Sequence, residues 1–108
     1  MPNNSANERR RAQRFSFIAA TDVIDGASGA KFSVRTSDLS RIGCYIDMLN
    51  PFPVGATIIV RIVKENDSFE AAARVIYQVP GLGMGVTFTK FSASSQAVLE
   101  RWLTDQSG

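Results

Sequence analysis

From Arg14 onward, apolar side chains alternate with polar ones in short stretches that turn signals separate. Phe15, Phe17 and Ala19 fall on one face, the period of two expected of a half-buried strand. Asp25-Gly26 and Ser28-Gly29 predict a loop between Asp22 and Ala30. A second strand reads through Lys31 to Arg35 with Phe32 and Val34 inward, and it runs into the polar segment Thr36-Ser37-Asp38-Leu39-Ser40-Arg41. A third extends from Gly43 to Met48, with Cys44, Ile46 and Met48 alternating. Two prolines and Gly55 make 50–55 a connecting loop, since proline cannot donate to a central ladder. Thr57 to Val63 then places Ile58, Val60 and Ile62 on one face. Phe69 to Gln78 does the same with Phe69, Ala71, Ala73, Val75 and Tyr77, across the turn-like Glu65-Asn66-Asp67-Ser68. Val79-Pro80-Gly81-Leu82 puts Pro and Gly where a type II turn needs them, and Gly83 to Phe88 returns with Met84, Val86 and Phe88 inward.

The period changes only near the C-terminus. Val98, Leu99, Trp102 and Leu103 follow helical spacing, with Ser92 or Ser94 as candidate N-cap. Six short strands and a terminal helix predict an all-β fold, a six-stranded antiparallel β-barrel closed by a C-terminal α-helix, because closure removes exposed strand edges. The first eight residues are polar and contain no core-forming side chain, so residues 1–13 are expected to form a flexible basic arm and residues 14–104 one domain. A length of 108 residues suits a single core, and 44% apolar residues can fill it without disulfides or metal clips.

Charge changes the picture. Residues 1–14 hold Arg9, Arg10, Arg11 and Arg14 against Glu8, a net +3, so the remainder carries −1 of the total +2. A positive field confined to one arm suggests an anionic partner held at one place, with a solvated basic tail as the plain alternative. There is no histidine, which removes the ordinary Ser-His and Cys-His nucleophiles, His-ligated metals and the neutral-pH imidazole base. Cys44 lies in an apolar alternation and is expected in the core. The scattered carboxylates read mostly as surface charges. A non-enzyme is expected, with no catalytic residue, metal or cofactor. The single cysteine and the absence of an apolar run of roughly 20 residues predict a cytoplasmic protein without membrane insertion.

Two features carry chemistry. Arg10 and Arg14 are four apart, directly before a strand, and guanidinium groups fork onto phosphate oxygens and the O6/N7 edge of guanine or stack on base faces. Asp38-Leu39-Ser40-Arg41-Ile42-Gly43 is a polar corner between two strands. A carboxylate there can accept from guanine N1–H and N2–H, a hydroxyl can serve phosphate or base, and glycine admits a ligand close to the backbone. An Asx-type turn is the simpler role for Asp38 and Ser40.

Arg10-x-x-x-Arg14 followed by Asp38-x-Ser40-x-x-Gly43 resembles the paired signature of the PilZ family, Arg-x-x-x-Arg and Asp/Asn-x-Ser-x-x-Gly. The second motif is the more specific, arising by chance in roughly one chain in twenty of this length. The long hairpin, the Gly83-Met84-Gly85-Val86-Thr87-Phe88 strand and the closing helix also have counterparts in the family. The resemblance implies a six-stranded barrel that binds cyclic di-GMP. Arg10 and Arg14 would clamp the ligand from the arm, while Asp38, Ser40 and Gly43 meet it from the barrel. Arg9 and Arg41 are expected as secondary contacts. The polar arm before Arg10 separately predicts a receptor in which ligand binding orders the arm and so signals to an unidentified protein partner. A PilZ-like interaction module that binds no nucleotide is an alternative, as is a nucleic-acid-binding barrel. The negative body and few lysines disfavour the latter, so no specific nucleic acid is expected.

Overall fold

The computed structural model describes residues 13–107, the side chains of 106 and 107 excepted. Strands β1 (Phe15–Asp25), β2 (Lys31–Leu39), β3 (Gly43–Asp47), β4 (Thr57–Lys64), β5 (Asp67–Val79) and β6 (Gly83–Phe91) precede one helix, α1 (Ala93–Ser107). They form a closed barrel in the order β1-β2-β3-β6-β5-β4, and every neighbouring pair is antiparallel. β1 and β4 seal the ring through the register Ala20↔Val63 to Asp25↔Ile58.

Alternation builds the core as the sequence predicts. Phe17, Val23, Ile46, Ile58, Val60, Ile62, Phe69, Ala73, Val75, Met84 and Val86 are buried and point inward. Cys44 joins them at 0% exposure. Burial without a charged neighbour strong enough to offset it pushes its thiol up to about 12, so it is protonated at neutral pH. Gly81 has φ 80 and Leu82 N–H donates to Val79 O at 2.9 Å, the geometry of the type II turn.

Four expectations need correction. β1 runs through to Asp25, so the loop contracts to the residues between Asp25 and Lys31. Asp25 closes it by accepting from Ala27 N–H at 3.0 Å and the Ser28 hydroxyl at 2.9 Å. Phe32 stands opposite buried Val23, but at the barrel rim. It stays 40% exposed and meets Phe52 edge-on, with ring centroids 5.5 Å apart. The polar segment after Arg35 is mostly strand, with Thr36 and Leu39 wholly buried, which narrows the corner to Ser40-Arg41-Ile42. Tyr77 is not a core residue. A register shift between Val75 and Tyr77 breaks the alternation and leaves it 41% exposed.

The helix covers the barrel end at which β1 begins and β2 finishes. Ser92 is its N-cap, with its hydroxyl accepting from Ser95 N–H at 3.1 Å. Leu99, Trp102 and Leu103 are buried, Trp102 against Phe17 at 5.0 Å between ring centroids. Phe69 packs on Phe88 at 4.9 Å and Phe91 at 5.4 Å, forming an aromatic plug beneath the helix. Arg101 pairs with Asp67 at 2.8 Å, and the Ser95 hydroxyl accepts from Glu70 N–H at 3.1 Å.

Removing that plug tests the architecture. Phe69→Ala is expected to cost about 3–5 kcal/mol in urea unfolding, a large share of the ~5–15 kcal/mol typical of a domain. A loss below about 1 kcal/mol would show that this cluster does not hold the barrel end.

Candidate functional site

Asp38 lies on β2 opposite Tyr45 of β3, next to a register shift between Thr36 and Asp38. Its Oδ1 accepts from Tyr45 N–H at 2.9 Å, so a side chain supplies an acceptor to the ladder at this point. The buried Thr36 hydroxyl lies 2.9 Å from Asp38 O and 2.7 Å from Tyr45 O, pinning the irregularity from inside. Asp38 is thus rigidly seated, while its side chain remains 29% exposed.

Arg14 immediately precedes β1, whose Ser16 is the register partner of Asp38. Its Nη1 donates to the same Oδ1 at 2.8 Å, and the arginine side chain is 39% exposed. The last arginine of the first motif and the first residue of the second therefore touch. Arg9 and Arg10 lie outside the described residues.

Ser40 is 1% exposed, and its hydroxyl is engaged within the corner. Oγ accepts from Ile42 N–H at 3.2 Å and Gly43 N–H at 3.1 Å and donates to Gly43 O at 3.1 Å. Ser40 N–H donates to the same carbonyl at 2.8 Å. Gly43 is required by close approach of β6, since a Cβ there would collide with the Val86 carbonyl and lie 3.2 Å from Thr87 Cα. Both residues shape the corner from within. Phe88 N–H donates to Ile42 O at 2.7 Å and backs the corner with β6.

Arg41, at the outer tip, forks onto Glu100 of α1, with Nε to Oε2 at 3.1 Å and Nη2 to Oε1 at 2.8 Å. Sequence reasoning missed Glu100, which reads as one more surface carboxylate on a helix. Only the fold brings it beside a residue 59 positions earlier. Tyr45 was also missed as a site neighbour. Partial burial first, then Tyr77, Asp47 and Asp38, hold its phenol above the ordinary 10.0, so it stays neutral. No group of His, Cys, Asp or Glu among the described residues is arranged to hold a metal ion. No helix among them is long and apolar enough to cross a membrane.

The Arg41 hydrogen bond, followed by its charge, lowers the Glu100 pKa from 4.5. A depressed folded value means that the pair stabilises the protein above the unfolded pKa of Glu100, and that this contribution disappears as pH falls through the lower folded value. Glu100→Gln is expected to flatten that part of the acid limb in a Tm-versus-pH series. The effect should not exceed about 1 kcal/mol, because exposed pairs are weak. An unchanged acid limb would show that the fork carries no stability.

Comparison with known proteins places this geometry. A search of curated proteins finds no significant match. Among solved structures, the PilZ domain of CeSA from a cellulose synthesizing bacterium aligns with TM-score 0.69 at 18% identity, covering 90% of this chain and 100% of that one. The PilZ domain of YcgR from Escherichia coli, solved with c-di-GMP, aligns with TM-score 0.72 at 17% identity over 92% of both chains. The inhibitor of motility MotI/DgrA from Bacillus subtilis gives TM-score 0.74 at 15% identity, covering 92% of this chain but 51% of that protein. These likenesses establish the shared fold. The family model described as PilZ domain matches residues 8–105, a span that contains both motifs and the whole barrel. The chain therefore belongs to the PilZ domain family of non-catalytic receptor and adaptor modules.

Proposed function

We propose that this protein is a cytoplasmic receptor for cyclic di-GMP, which it clamps between Arg10 and Arg14 on one side and the Asp38 corner on the other. The observation that carries this reading is the 2.8 Å contact between Arg14 and Asp38, which joins the two motifs across 24 residues of sequence. Family membership and the c-di-GMP-bound YcgR domain support the choice of ligand.

The roles divide by exposure. Asp38 accepts from guanine N1–H and N2–H, and Arg14 turns to a phosphate or a base face. Ser40 and Gly43 act through the backbone that they shape, because the Ser40 hydroxyl is occupied within the turn. Arg9 and Arg41 add charge at the margins. Releasing an exposed ion pair costs about 0–1 kcal/mol, whereas each charge-assisted bond to the ligand is worth about 1.5–3 kcal/mol. Exchange of Arg14 from Asp38 to the ligand is therefore downhill. Ordering of the arm over the barrel then presents a new surface to a protein partner.

Calorimetric titration with cyclic di-GMP is expected to show saturable binding. Arg10→Ala, Arg14→Ala and Asp38→Ala should each weaken it by about tenfold or more, and the Arg10→Ala, Arg14→Ala double variant should bind negligibly. Parallel titrations with GTP and a short oligonucleotide test the ligand class. No heat with cyclic di-GMP would leave a protein-interaction module. Oligonucleotide binding that falls steeply with salt would indicate a nucleic-acid-binding barrel.

A further inference from the structure

On its outer face, β6 has no side chain at two successive outward positions. Met84 points inward and is wholly buried, while Gly83 and Gly85 face out on either side of it. Rings from the flanking strands lean across this bare strip. Gly85 is the register partner of Tyr45 on β3 and of Tyr77 on β5. A Cβ on Gly83 would collide with the Ile46 carbonyl and also lie 2.8 Å from Tyr45 Cζ and Oη, and one on Gly85 would collide with the Tyr77 ring. The two rings thus occupy the space that β6 leaves open. Their centroids are 6.2 Å apart and their planes differ by 30°.

Register places this aromatic strip within the candidate site. One row of the sheet reads Asp38, Tyr45, Gly85, Tyr77 across β2, β3, β6 and β5. Neighbouring strands are about 4.8 Å apart, so the strip begins one strand from the carboxylate that would hold a guanine edge. A purine with its edge on Asp38 would reach over Tyr45, the register partner of that carboxylate. Three residues back along β5 toward the corner, past the exposed Ile76, Arg74 is exposed opposite Thr87 and makes no ion pair with a described residue. Carboxylate, aromatic surface and cation share one face in the order that a base and its phosphate require.

We propose that Tyr45 and Tyr77 form a base-stacking platform on which a guanine of the ligand lies while Asp38 holds its edge. The platform deepens the cyclic di-GMP reading above, rests on it, and adds residues that neither sequence motif contains. Covering the glycine strip would by itself account for the ring positions. The test must therefore separate stacking from packing.

The 108-residue wild-type chain, Tyr77→Leu, Tyr77→Phe and Tyr77→Trp are titrated with cyclic di-GMP by calorimetry, with Tm recorded for each. Tyr77→Leu keeps apolar cover but removes the π face, and it should weaken binding by about tenfold, within the range for loss of one base stack. Tyr77→Phe should recover most of that affinity. Tyr77→Trp should bind and show emission quenched on saturation, beyond any change from buried Trp102 in the wild type. If Tyr77→Leu is too unstable to titrate, the Phe and Trp variants carry the test, since both keep a ring over Gly85. Wild-type-like affinity in folded Tyr77→Leu, or unquenched emission in a saturated Tyr77→Trp, overturns the platform and leaves the receptor assignment intact. Failure of the wild type to bind overturns both.

Discussion

A barrel of six strands is too narrow to enclose anything except its own side chains, and this limit governs the rest of the molecule. Ile, Val, Phe and Met residues at or near zero exposure fill the interior, and the helix with its phenylalanine plug occupies one end. Chemistry has to be done on the outer wall and at the rim. There the residues that face solvent alternate with those that hold the core, so each strand serves both tasks at once. β2 illustrates it: Thr36 and Leu39 are wholly buried, while Asp38 between them faces outward.

That alternation is why the fold was legible in the sequence. Ile58, Val60 and Ile62, or Phe69 through Val75, leave no other assignment, and the Leu99, Trp102 and Leu103 spacing marks the helix. What alternation cannot report is a change of phase. The register shifts beside Asp38 and Tyr77 each insert a residue into the count. Beyond them, inward and outward exchange, so strict alternation predicts Tyr77 in the core while the fold turns it outward. Phe32 fails differently: its direction is right, but pattern carries no information about how far along the barrel the core extends.

The candidate site was legible only where chemistry is local. Asp38 and Arg14 are recognisable from residue type and spacing, and the fold brings them into contact. Ser40 shows the limit of that approach, because spacing identified the position whereas burial decides what its hydroxyl does. Glu100 and the tyrosine pair are long-range facts, set by where the helix docks and by which strands flank β6. The described polar side chains are otherwise well satisfied, with no buried one left without a partner. Two exposed ion pairs, Arg14 with Asp38 and Arg41 with Glu100, flank the corner, and such pairs exchange partners at little cost.

The backing of the corner by β6 has a temporal side. Gly43 pairs with Thr87, and Ile42 is held by Phe88, so the turn between β2 and β3 leans on a strand more than forty residues later in the chain. Contacts of such separation form late, since the closure entropy of the intervening loop precedes any gain. During synthesis from the N-terminus, both motifs emerge before the strand that supports them. A nascent chain carries the letters of the site well before it carries the site, and a truncated one that ends short of β6 would never acquire it.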